Sequence, residues 1–230
     1  MAKLKLLIAL FINANLAKAV QSILIKQKQS LKILFFFENY AKNSGAISIR
    51  DSTNAEIFNT QFAKNNAKRF GAMHVDGNNI NNTEDIQKTN FTKNKAKIWI
   101  GGVQLQHNEG KLLECFFDGN FAPEYGALWD FGHLPGKRSI KFNVFLNNTS
   151  KRIGSWLSVY HNNYNGEILD SVFIRNRNEN KFLGGSIYLL LDSDIIFVKK
   201  CKFNQAEKES ILVYFADTSK AILSDNQFDS

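Results

Sequence analysis

Three of the four histidines in this chain, His107, His133 and His161, recur at nearly one interval. Imidazoles that a fold stacks at such an interval can share a divalent metal or work as an acid and base pair. Asp130 is close to His133 in sequence and interrupts a series of otherwise apolar positions. A carboxylate there can orient an imidazole, or it can mark a strand that bulges outward. The plainer reading of the histidines is three exposed turn residues with no common task. Trp99, Tyr125, Trp129, Phe131 and Tyr160 fall in the same stretch. Aromatic faces rimmed by polar groups suit a sugar ring, so Trp99, Tyr125, Trp129 and Tyr160 are candidate carbohydrate contacts. The acids give no comparable cluster. Glu114, Asp170 and Asp225 share one repeat position, Asp118 and Asp229 another, and Asp192 and Asp194 lack the glycine and glutamate of a calcium loop. They read as solvated turn residues, and no metal or cofactor is expected.

The elements that must position these residues follow from a repeat. Phe36, Phe62, Phe91, Phe117, Phe145, Phe173, Phe203 and Phe228 recur along the chain, a spacing typical of repeat architectures. Most are followed three residues later by asparagine: Asn39, Asn65, Asn94, Asn120, Asn148 and Asn176. Five residues before each phenylalanine stands an apolar side chain, from Leu31 and Ile57 through Val198 to Leu223. Two residues before it stand small or modestly polar ones, such as Thr60, Cys115 and Ser171. Farther on come a small pair and an apolar residue, as in Gly71-Ala72-Met73. Ile47, Met73, Val103, Leu128, Trp156, Ile187 and Ile211 form that apolar column, and two residues later Asp130 and Ser158 break the next one.

Alternation around the phenylalanine gives short strands, and no stretch beyond residue 30 has helical spacing. The repeat is too short for a propeller blade and fits one turn of a parallel β-helix, an all-β solenoid of about seven to eight coils. The asparagines then stack as a ladder that occupies the left-handed turn position and passes hydrogen bonds between coils. The glycines sit at a second bend, where a side chain would obstruct the backbone.

Leu112, Cys115, Phe117 and Asn120, followed by Gly126-Ala127-Leu128, resemble the right-handed parallel β-helix repeat of the pectate-lyase-like superfamily, as do Ile57, Thr60, Phe62 and Asn65 before Gly71-Ala72-Met73. The likeness is to the repeats of polymorphic outer-membrane proteins and large protist surface proteins. It implies the fold over roughly residues 28 to 230 and leaves function open, because enzymes, adhesins and passive surface proteins share the coil.

Residues 1–19 form a separate segment. Lys3 and Lys5 precede the apolar run Leu6 to Ile12, and Ala17-Lys18-Ala19 offers a cleavage site, the layout of a secretory signal. The rival is a short, helical or otherwise amphipathic segment that covers the first repeat. Residues 20–230 are then the β-helix, with an uncapped C-terminal end that another chain or domain would cover. No transmembrane helix is expected. Cys115 and Cys201 stand in one column three repeats apart, roughly 14 Å at one strand spacing per coil, so two free, inward thiols are expected. The formal charge of +8 comes from scattered lysines, which read as a solvated surface and not as a nucleic-acid footprint. The sequence thus favours a secreted or cell-surface β-helix scaffold or adhesion module without catalysis. Carbohydrate or another surface protein is the expected partner. The alternatives are a polysaccharide lyase or glycoside hydrolase, and a fragment of a larger surface protein.

Overall fold

The structure, a computed structural model, describes residues 4–6, 9–12, 23–24, 29–32, 34–50, 54–76, 83–106, 109–132, 137–153, 157–162, 165–179, 187–192, 195–204, 213–216 and 220–229. All regular structure among them is strand, and the strands pair in parallel. One turn shows the plan: Asn54–Phe58, Gln61–Ala63, Asn66–Ala67 and Met73–Asp76 follow one another around the coil. Equivalent strands stack into four sheets, called 1 to 4 in that order, of nine, nine, six and eight strands. The chain is therefore a parallel β-helix. About five turns are described around most of the coil. The larger coil count read from the phenylalanines includes outer turns whose bends lie outside the described residues. Within 1–19 the described stretches, Leu4–Leu6 and Ala9–Ile12, are strands paired with Gln29–Lys32 and Leu34–Phe37, not a helix. No helix among the described residues is long and apolar enough to cross a membrane.

The core is built from the inward columns. Phe36 to Phe228 stack face to face with ring centroids 4.7 to 5.1 Å apart, one strand spacing per turn. Ile57, Ile86, Leu112, Ile140, Ile168 and Val198 line sheet 1 beside them, all buried. Cys115 and Cys201 are buried and unpaired, as their column requires.

The asparagine ladder forms as expected. Each Nδ2 donates to the Oδ1 of the asparagine one turn on, at 2.8 to 3.0 Å from Asn39 through Asn176. The same Oδ1 accepts the backbone N–H of the preceding rung. The expected left-handed conformation lies elsewhere. It belongs to the residue just before each asparagine, namely Glu38, Lys64, Lys93, Gly119, Asn147 and Arg175. A second left-handed column, Asn59, Lys88, Glu114, Phe142, Asp170, Lys200 and Asp225, turns the chain between sheets 1 and 2. The asparagine must keep an ordinary backbone so that its amide points inward, which leaves its neighbour to make the corner. Glu114, Asp170 and Asp225 are thereby exposed corner residues.

Sheet 4 corrects two columns. Leu128 pairs with Leu157, not Trp156, and Ile187 with Val213, not Ile211. Val159 rather than Ser158 follows Asp130. The bend after the ladder varies in length from turn to turn, so counting from phenylalanine loses register across it. Where the bend is described, glycine is required by close approach: a Cβ on Gly71 would lie 2.0 Å from the Gly101 carbonyl oxygen.

Candidate functional site

The strongest departure from the repeat lies inside the coil. Two residues before the apolar column of sheet 1, an inward column runs Ala55, Glu84, Gly110, Arg138 on successive turns. Glu84 and Arg138 are thus two turns apart, and Gly110 between them contributes no side chain. Arg138 reaches back through that gap, and its Nη2 donates to Glu84 Oε2 at 3.1 Å. From sheet 4, Asp130 brings Oδ2 to 2.9 Å from Arg138 Nε. All three side chains are 0 % exposed. Burial drives the Glu84 carboxyl up to about 8, opposed by the charge of Arg138 and reinforced by that of Asp130. Two carboxylates around one guanidinium in a dry interior carry an excess negative charge, so the group favours holding one proton.

Gly110 also forms part of the floor of an open groove of about 520 Å³ on the outer face of sheet 1. Strand alternation turns Asp85, Lys111, Ser139 and Glu167 outward, and parallel register stacks them on four consecutive turns. Lys137 and Lys141 flank them. Lys141 Nζ is 2.7 Å from Glu167 Oε1, and Ser139 Oγ donates to the same oxygen at 3.0 Å. Partial burial raises the Glu167 carboxyl, but those hydrogen bonds and the Lys141 charge prevail and hold it below its ordinary range. The groove offers a line of acceptors and donors one strand spacing apart, of which Ser139 and Glu167 are held by hydrogen bonds.

The residues singled out by sequence do not converge on one site. His107 and His133 lie outside the described residues. His161 is placed in a strand of sheet 4 beside Gly132 and Leu191, and Tyr160 beside Phe131 and Leu190, without described side chains. Tyr125 and Trp129 stack on one another at 4.8 Å, so each already covers part of the other. Trp99 meets Phe70 edge-on and carries Arg69 over its ring at 4.9 Å. Asp130 is neither bulged nor exposed; it points inward and pairs with Arg138. No group of three histidine, cysteine, aspartate or glutamate side chains among the described residues can hold a metal.

Glu84 and Arg138 stand outside the phenylalanine, asparagine and small-residue columns that mark the repeat, in an inward column two residues before the apolar one. A glutamate, a glycine and an arginine on consecutive turns of that column were the available signal. Comparison with protein-family models, curated proteins and solved structures gives no match to this chain.

Proposed function

We propose that this chain is a non-catalytic, secreted or cell-surface β-helix of the pectate-lyase-like kind, serving as a scaffold or adhesion module that holds carbohydrate on a lateral face. The observation that carries the reading is the groove on sheet 1. Its line of Asp85, Lys111, Ser139 and Glu167 presents a carboxylate at each end with an ammonium and a hydroxyl between them along the coil axis, which suits the hydroxyls of an extended glycan. Glu84, whose carboxyl burial raises to about 8, and its neighbour Asp130 lie wholly inside the coil, out of reach of a polymer in the groove. A general acid must come within hydrogen-bond distance of the reacting atom, which argues against catalysis by this pair. Export rests on the sequence pattern of residues 1–19.

The test is a glycan-binding screen run beside a turnover assay on acidic and neutral polysaccharides. Binding without turnover is expected, weakened by Lys111→Ala and by Ser139→Ala. Turnover that disappears in Asp130→Asn or His133→Ala would overturn the scaffold reading. Binding that survives the groove changes but is lost in Trp99→Ala would move the site to the aromatic stretch.

A further inference from the structure

On another face of the coil, sheet 3 gathers cations that the sequence scatters. Its strands are two residues long, at Tyr40–Ala41, Asn66–Ala67 and Lys95–Ala96 in the first three of its turns. Lys42, Lys64, Lys68, Arg69, Lys93, Lys95 and Lys97 flank or occupy these strands, and all are exposed. The Lys68 amide bonds the Lys42 carbonyl, and the Ile98 amide bonds the Lys68 carbonyl, so Lys42, Lys68 and Lys97 lie on successive rungs. Residues 38–43, 64–69 and 93–98 contain one acid, Glu38, and it pairs with Lys64 at 3.1 Å. Among the described residues the other six cations have no carboxylate partner within ion-pair distance. The same sheet looks different farther along. Residues 119–124 carry no cation, while Lys151 pairs with Glu179 and Arg152 with Glu124. The expectation of an evenly scattered, solvated lysine surface fails here, because stacking brings lysines of three separate segments onto one face.

Like charges on neighbouring rungs repel, and nothing in the coil requires lysine at exposed positions that are Tyr40, Asn66 and Phe121 elsewhere in the column. The crowding is useful to an anionic ligand that replaces the missing counter-charges. The patch runs from the corner at Lys93 across the two-residue strand to Lys97 and spans roughly 10 Å along the axis over three rungs. It is small beside the face of a duplex or a bilayer and matches a short stretch of a single polymer strand. Trp99 borders it with Arg69 over its ring, so that face is not free to stack a nucleobase.

We propose that the ridge formed by Lys42, Lys68, Arg69, Lys93, Lys95 and Lys97 is a binding site for an anionic polysaccharide bearing carboxylate or sulfate groups. This extends the carbohydrate reading to a second face and an acidic glycan class, and it stands even if the sheet 1 groove binds nothing. The test titrates the full chain with polygalacturonate, heparin, neutral dextran, duplex DNA and phosphatidylserine vesicles at low and high salt. Salt-sensitive binding to polygalacturonate or heparin is expected, and the stronger of the two identifies the carboxylate or the sulfate as the recognised group. Lys68→Glu with Lys95→Glu and Lys97→Glu should weaken it at least about tenfold. The charge-matched control Lys200→Glu, Lys202→Glu and Lys220→Glu, on the last turns, should change it little. If charge reversal disturbs folding, Lys68→Gln with Lys97→Gln gives the same readout with a smaller loss. Equal losses in ridge and control variants, equal binding of dextran, or tighter binding of DNA or vesicles would overturn the assignment.

Discussion

Glu84→Gln tests whether the buried group stores the proton that its geometry demands. The Glu84 carboxyl is raised from 4.5 to about 8 by burial, against the lowering effect of the Arg138 charge and with a smaller contribution from the Asp130 charge. A carboxyl raised on folding favours the folded state fully below pH 4.5, and that contribution is lost as pH rises through about 8. The shift corresponds to about 5 kcal/mol between the two limits. Urea unfolding between pH 4.5 and 9, followed by circular dichroism, should therefore show the parent losing several kcal/mol toward alkaline pH. Glutamine mimics the protonated acid in shape and hydrogen bonding, and Asp130 remains as the counter-charge to Arg138. The variant should match the parent within about 1 kcal/mol at pH 4.5 and exceed its stability at pH 9. A variant whose pH profile runs parallel to the parent's, or that is destabilised equally at both ends, would refute the reasoning.

Gly110→Ala should cost more than about 3 kcal/mol or prevent soluble expression, because its Cβ would lie 1.9 Å from the Glu84 carbonyl oxygen; expression yield and urea midpoint report it. Asn120→Ala strips partners from Asn94, Phe91 and Asn148 and should cost about 3 kcal/mol, whereas Asn39→Ala, which removes one amide donor from the first rung, should cost about 1 kcal/mol in the same assay. Burial pushes the Cys115 thiol up to about 12 and the Cys201 thiol up to about 11. Native protein at pH 8 should resist a thiol-specific reagent, and full labelling should appear only on unfolding.

Much of the coil was legible from residues alone. The phenylalanine and aliphatic columns alternate with polar ones inside short strands, and that alternation decides which side chains point inward whatever the neighbouring turn does. The asparagine ladder was legible because an amide carries both a donor and an acceptor, and a stack of identical amides can satisfy itself. The corner conformation was read one residue late, since composition at the corner is mixed: Glu38, Lys64, Lys93 and Gly119 share a backbone and no chemistry. Leu157 and Val213 were displaced in the alignment because bends of unequal length do not conserve counting.

What the sequence determined by itself is the repeat, the parallel stack and the inward columns, because these depend on local alternation and on one spacing repeated many times. The tertiary structure decided which departures from the repeat meet. Glu84 and Arg138 touch only because Gly110 leaves a gap between their turns, and Asp130 joins them from a different sheet. Lysines from three segments form a ridge only because each segment returns to the same side of the coil. Proximity across turns is set by register and bend length, which the phenylalanine count does not carry.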